Sequence, residues 1–242
     1  MTGAVVLAAG PGSRLGELGT RIPKTMIPVA GRPYLEHLAG RLIGAGLRPV
    51  VVAIHHRAAV ICDHFSGHQY SRHLRFVSTG QRGTGSDLLE CLHELAGEDF
   101  IVWNGDTIVD LDLTDLLARS EGHDEGGIIV LTRRTDAPNQ GAWYVDDGGL
   151  VIATLEASPK PEPPPVFAWR GSSTGVLWLT KSLMSEYRSG LALDLYSTIL
   201  PSLASRGLLC AYDNGMRYFL DFGTPRDLFR IDANQVSSWI GS

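Results

Sequence analysis

Short runs of β-branched and aliphatic residues alternate along this chain with stretches in which apolar residues recur three and four positions apart. That alternation marks βαβ units wound around a mainly parallel sheet. Val5–Ala9, Pro49–Ile54, Leu74–Val77, Phe100–Asn104, Gly127–Leu131, Leu150–Leu155 and Thr174–Leu179 predict strands. Leu35, Leu38, Ala39, Leu42 and Ile43 share one helical face, so Pro33–Ala45 predicts the clearest helix. Further helices are expected at Ala58–Phe65, Asp87–Leu95, Leu113–Ser120, Asp194–Ser205 and Pro225–Val236. No internal repeat is visible.

Two segments interrupt the alternation. Gly10–Pro28 is rich in Gly, Arg and Pro, and Ala157–Pro165 holds five prolines in nine residues, which regular structure does not tolerate. The strand after the Pro-rich segment continues the same pattern, so that segment reads as a loop rather than a linker. The expectation is one α/β domain over residues 1–242, with a doubly wound, mixed, mainly parallel sheet.

Composition narrows the function classes. Charged residues make up 19% and apolar ones 44%, as in an ordinary globular protein, and no apolar run reaches the length of about eighteen residues that suggests a membrane span. The N-terminal MTGAVVLAAG has no basic lead-in and breaks at glycine, so it reads as a first strand; a cytoplasmic location is expected. Cys62, Cys91 and Cys210 lack metal or disulfide spacing and read as reduced, buried thiols. A net charge of −5 gives no support for a nucleic-acid surface.

In doubly wound sheets, ligands bind beyond the carboxyl ends of strands, and the first strand here leads into Gly10-Pro11-Gly12-Ser13-Arg14-Leu15. Glycines admit phosphate oxygens close to backbone N–H groups, while Arg14, Arg21 and Lys24 supply positive charge. Two common phosphate motifs fail. The P-loop pattern GxxxxGK[ST] is absent, and a dinucleotide fingerprint would need glycine at Leu15 and an acid where His55-His56 stand. A solvated Gly/Arg loop with no ligand is the bland alternative. Further on, Asp106 ends the Phe100–Asn104 strand and turn, and Asp221 ends another short strand in Tyr218–Pro225. Mg²⁺ favours one or two carboxylates with phosphate oxygens and water, so such a pair suits it, although either Asp alone could be a cap.

LAAGPGSRL-x8-PKTMIPVAGRPYLEH resembles the N-terminal pattern of sugar-1-phosphate nucleotidyltransferases, and the chain is most similar to the small guanylyltransferases that activate heptose- or mannose-1-phosphate. NGD at 104–106 and LDFGTP at 220–225 resemble that family's acidic motifs in the same order. The resemblance implies a Rossmann-like fold of the nucleotide-diphospho-sugar transferase type. It implies Arg14 and Lys24 as catalytic cations, and Asp106 and Asp221 as Mg²⁺ ligands. It also implies nucleotide contacts at Leu7, Ala9, Gly10, Gly12, Ser13, Gly83, Thr84 and Asp106. The substrates implied are an NTP, with GTP favoured, and a sugar-1-phosphate. The attacking phosphate oxygen is already largely deprotonated at neutral pH, since a phosphate monoester has its second pKa near about 6, so no general base is needed.

For the sugar, the resemblance points to Gly141 within Asn139-Gln140-Gly141, to Glu156, and to Thr174-Gly175. The usual lysine after Glu156 is replaced, with Lys160 nearby. Around the base, Gln81-Arg82 and Ser86-Asp87 flank Gly83-Thr84-Gly85 and depart from the family pattern, and Thr84 or Ser86 as a helix cap is the alternative reading. Uridylyl, cytidylyl, adenylyl or thymidylyl transfer to another hexose-1-phosphate remains open. Asp110-x-Asp112 resembles the motif of metal-dependent glycosyltransferases, the rival enzyme class, but Asp112 precedes a helix and reads as its cap. A non-catalytic nucleotide-sugar-binding protein is the third class. His64 and His68, at i, i+4, read as solvated rather than zinc-binding. A homodimer is expected only from the general frequency of two-fold assemblies.

Overall fold

Successive residues of the first strands point to opposite sides, and in this chain both sides are apolar. The computed structural model describes residues 2–122, 126–134, 141–157 and 161–238. In chain order the strands are β1 (Gly3–Leu7), β2 (Pro28–Val29), β3 (Arg32–Pro33), β4 (Val50–Ile54), β5 (Leu74–Ser78), β6 (Asp99–Asn104) and β7 (Thr107–Val109). There follow β8 (Gly127–Thr132), β9 (Trp143–Val145), β10 (Val151–Thr154), β11 (Trp169–Thr180), β12 (Leu209–Asp213) and β13 (Phe219–Asp221). Ala4, Val6, Val50, Val52, Ile101 and Trp103 enter the core cluster on one face of the sheet, while Val5, Val51, Phe100 and Val102 enter the other. A sheet buried on both faces needs a helical layer on each side.

The helices supply those layers. They are α1 (Glu17–Arg21), α2 (Tyr34–Gly44), α3 (Ala58–Phe65), α4 (Thr84–Cys91), α5 (Leu113–Ser120), α6 (Lys181–Met184), α7 (Leu200–Ser205), α8 (Pro225–Leu228) and α9 (Ala233–Ser237). Leu35, Leu38 and Leu42 of α2 pack with Ile61 and Phe65 of α3 and Leu116 of α5 on the first face. Leu88 of α4, Met184 of α6 and Leu203 of α7 pack on the second.

The nine-stranded sheet has the path β10-β9-β11-β6-β1-β4-β5, with β8 joined to β11 and β12 to β8. β6, β1, β4 and β5 are mutually parallel, as are β8 and β12, whereas β11 runs against β6, β8 and β9. Seven of the nine strands therefore run one way, with β10 and β11 opposed, and the fold is the mixed, mainly parallel one expected. Separate from it, β7 and β13 form a two-stranded antiparallel ribbon in which Thr107 faces Asp221.

Several expected elements change at their ends, each for a local reason. The helix expected over Asp194–Ser205 opens as a wide π-type turn at Leu195–Ile199 before α7, because Pro201 cannot donate to the preceding turn. The helix expected over Pro225–Val236 divides into α8 and α9, and Asp232 accepts from Asn234 N to cap the second. Thr224 and Asp227 form the capping box of α8. The strand expected at Thr174–Leu179 extends to Trp169–Thr180, and its ladder with β8 shifts register around Gly175, where φ is 78°. Asp112 caps α5 by accepting from Asp115 N, as its position suggested. Cys91 is buried, but Cys62 is exposed, contrary to the expectation of three buried thiols. Among the described residues no helix is long and apolar enough to cross a membrane.

Candidate active site

The first strand ends at Leu7 and releases the chain over the edge of the parallel strands, where Gly12 takes a left-handed φ of 63°. Gly12 is pressed against Gly19: a Cβ on Gly19 would lie 2.3 Å from Gly12 O, so the loop can close only with glycine there. His56 Nε2 lies 2.9 Å from Gly19 O and ties the loop to the end of β4. Leu7, Gly10, Gly12, Ser13, Arg14, Lys24 and Asp106 surround a cavity of about 220 Å³.

Lys24 and Asp106 line this cavity, and Asp221 stands behind Lys24, lining a neighbouring one. Lys24 is buried, its Nζ donating to Asp106 Oδ2 at 2.5 Å and lying 3.5 Å from Asp221 Oδ1. The β7–β13 ribbon holds the acids together, and Phe222 N donates to Asp106 O at 3.1 Å to close its end. Burial, then the charge of Asp106, raises the pKa of Asp221, and the cations of Lys24 and Arg14 oppose that rise. Asp221 Oδ1 is buried without a hydrogen-bond partner, since Lys24 stands at ion-pair range only. Such an orphaned oxygen beside a second carboxylate fits a hard divalent cation. The exposed Arg14 lies across Gly223, whose added Cβ would meet Nη2 at 2.9 Å. Neither Asp is spent on capping, because Thr224 and Asp227 cap α8.

A second cavity, of about 390 Å³, shares Leu7, Gly10 and Asp106 with the first and adds Ala9, Gln81, Gly83, Thr84 and Asp87. Gly83, at φ 110°, and Gly85 are demanded by packing: a Cβ on Gly83 would stand 2.4 Å from Leu193 O, which accepts from both Gly85 N and Ser86 N. Thr84 does not cap α4. Its hydroxyl donates to Asp194 Oδ2 and accepts from Leu195 N, each at 2.9 Å. The Gly-Thr-Gly segment thus stitches α4 to Leu193–Leu195. Gln81 Nε2 donates to Ala9 O at 2.6 Å, and burial pushes the Asp87 carboxyl up.

The third cavity, of about 370 Å³, meets the second at Asn104 and brings Gly141, Glu156 and Gly175 together with Asp221. A Cβ on Gly141 would be 2.1 Å from Glu156 Cγ. Glu156 is no loose surface group. Trp143 Nε1 donates to its Oε1 at 2.9 Å, and burial, with Asp194 nearby, raises its pKa. Thr174 departs from expectation: it is fully buried and donates to Val130 O, away from the cavity, because the register shift at Gly175 turns Ser173 inward instead. Asn104, Asp194, Tyr196 and Ser197 also line it and were not anticipated. Tyr196 donates to Asn104 Oδ1 at 3.0 Å, and Asp194 accepts from Tyr196 N and Ser197 N. Only the Asp194 capping signal was available in the sequence. Asn139, Gln140 and Lys160 lie outside the described residues.

Asp110 and Asp112 stand apart, beside Arg41 in a different surface cavity, so the glycosyltransferase-like pair does not face the cleft. The three joined cavities, edged by parallel strand ends and floored by Lys24, Asp106 and Asp221, define a polyphosphate-handling α/β domain. Residues 4–209 match the MobA-like NTP transferase domain, and the chain belongs to that family. A mannose-1-phosphate guanylyltransferase of Mycobacterium tuberculosis is 29% identical over 96% of this chain, which spans 64% of that protein's length. A D-glycero-alpha-D-manno-heptose 1-phosphate guanylyltransferase of Campylobacter jejuni is 26% identical over 96% of this chain and 99% of its own. HddC from Yersinia pseudotuberculosis, crystallised with GMP-PN, has the same fold, with a TM-score of 0.76 at 24% identity over 95% of this chain and 97% of its own. Both curated relatives carry sugar-1-phosphate guanylyltransferase names, and the chain spans just under two thirds of the first.

Proposed function

We propose that this chain transfers GMP from GTP to a mannose- or heptose-type sugar-1-phosphate with the aid of Mg²⁺. The observation that carries this reading is the Lys24–Asp106–Asp221 cluster, one cation held between two carboxylates at the junction of the three cavities. A phosphate oxygen of the sugar phosphate attacks the α-phosphorus of GTP. The bond from α-phosphorus to the bridging oxygen breaks, and pyrophosphate leaves with that electron pair. Arg14, at the open side beside Gly223, meets the charge growing on the leaving group, and Lys24 meets that on the α-phosphate. Asp106 and Asp221 are the residues that would hold Mg²⁺, which when bound neutralises phosphate oxygens and draws both substrates to one point.

Two features favour the finer assignment. Guanine presents adjacent N1–H and amino donors, and Asp87 sets a carboxylate, an acceptor only when ionised, in the wall of the cavity that also holds Ala9 and Gln81. For the sugar, Glu156, Asn104 and Ser173 offer acceptors and donors suited to hydroxyl groups. Two of the relatives are guanylyltransferases for mannose- and heptose-1-phosphate, in agreement with that choice. The deciding experiment measures pyrophosphate release from each common NTP against a panel of hexose- and heptose-1-phosphates, with and without Mg²⁺. GTP with a manno-configured acceptor should give the highest kcat/KM. Preference for another base or sugar would replace the specificity, and no pyrophosphate from any pair would overturn the reaction.

A further inference from the structure

Away from the cleft, α2 and α3 meet at a group of side chains that the transferase reading does not use. We infer that Glu36, His64 and His68 form a binding site for a borderline divalent transition metal, of which Zn²⁺ is the natural probe. Glu36 is buried, and its carboxylate spreads between the two imidazoles. His64 Nε2 is 3.0 Å from Oε2, and His68 Nε2 is 3.6 Å from Oε1. Ligands at the usual Zn–N and Zn–O lengths of about 2.0–2.2 Å stand about 3.3–3.5 Å apart at the corners of a tetrahedron, so small side-chain rotations suffice to bring one oxygen and the two ring nitrogens to that spacing. One atom from each of the three residues lies within 4.8 Å of the other two.

The scaffold is rigid where it needs to be. Glu36 lies in the first turn of α2, whose opposite face is core, and His64 occupies the last turn of α3, with Phe65 beside it in the core. His68 lies just past the end of α3, after Gly67, its N–H held by Phe65 O at 3.2 Å and its ring stacked on that of His64 with centroids 5.8 Å apart. The imidazole edges are part-exposed, 30% for His64 and 19% for His68, so an ion can enter and keep water in its fourth position. Imidazole and carboxylate donors suit Zn²⁺ and its neighbours better than Mg²⁺. Two contacts are given up on binding. Arg32 Nη1, 3.4 Å from Glu36 Oε1 and half exposed, swings into solvent, and the long 3.3 Å contact from Tyr70 N to His68 Nδ1 is lost as the ring proton moves to Nδ1.

The test uses chelator-stripped full-length protein titrated with Zn²⁺ against a chromophoric competitor, and with Co²⁺, whose four-coordinate complexes absorb strongly in the visible. One equivalent should bind at micromolar concentration or tighter. His64→Asn and His68→Asn should each weaken it by about tenfold or more, while Asp106→Asn, which alters the catalytic acids, should leave it unchanged. In the unmodified chain, histidine ring NMR signals from His64 and His68 alone should shift with Zn²⁺, a readout independent of whether the variants fold. Sub-stoichiometric or millimolar binding, shifts at other histidines instead, or affinity indifferent to both substitutions would overturn the site and leave a hydrogen-bonded Glu–His trio.

Discussion

Replacing Asp221 by Asn should make the metal-free protein more stable while abolishing its response to Mg²⁺. In the native fold the Asp221 carboxylate is half-buried beside Asp106, and those two effects outweigh the attraction of Lys24 at 3.5 Å and of Arg14. Asparagine keeps the shape and removes the charge, relieving desolvation and repulsion while giving up only an ion pair too long for a hydrogen bond. The side chain is 36% exposed, so solvent screens each of these effects and the net gain is small, about 0.5–1 kcal/mol. For a chain of this size that corresponds to a melting temperature higher by about 1–4 °C. The sign with pH follows from linkage. Because the folded carboxyl has a raised pKa, the wild type loses stability as pH climbs from the ordinary Asp pKa through the raised one, and the variant does not. The gap should therefore be widest at neutral pH and close in acid. Thermal unfolding in EDTA at pH 7.5 and at successively lower pH measures it, and added Mg²⁺ should stabilise the wild type only. A variant less stable than wild type at pH 7.5 without metal would refute the balance of charges drawn here.

Arg14→Ala removes the guanidinium at the mouth of the phosphate cavity and should lower kcat by about 10²–10³-fold with little change in folding; steady-state pyrophosphate release checks it, and an unchanged kcat would end the role. Gly141→Ala places a methyl 2.1 Å from Glu156 Cγ, so Glu156 must move; KM for the sugar phosphate should rise by about tenfold while KM for GTP holds, and equal effects on both would point to general unfolding. Asp87→Asn should cut the preference for GTP over ATP by about tenfold or more, measured as a ratio of kcat/KM, because an amide cannot accept from both guanine donors; an unaltered ratio would remove Asp87 from base reading.

Much of the molecule was legible before its structure. β1, β4 and β6 are apolar on both faces, which only a sheet covered on each side requires, and the helical spacing of Leu35, Leu38 and Leu42 located α2 to within a residue at each end. The motif residues Arg14, Lys24, Asp106 and Asp221 also come together as expected: Arg14 and Lys24 lie in the loop after β1, Asp106 in the turn after β6, and Asp221 at the end of β13, which pairs with β7 beside that turn. Local sequence carries such information since period, glycine placement and strand ends are local properties.

Side-chain direction and long-range pairing were settled only in three dimensions. Thr174 and Ser173 are adjacent and chemically alike, and the register shift at Gly175 decides that Ser173 faces the cavity beside Glu156 while Thr174 bonds Val130. Asn104 and Tyr196 lie 92 positions apart and meet only because the turn at Leu195–Ile199 folds against α4. Glu36 and His64, 28 positions apart, converge through the packing of α2 on α3, so the histidines read as solvated in sequence instead face a buried carboxylate. A linear pattern specifies which face of each element is apolar, but not which polar groups on neighbouring elements come into contact. That choice belongs to the packing of the whole fold.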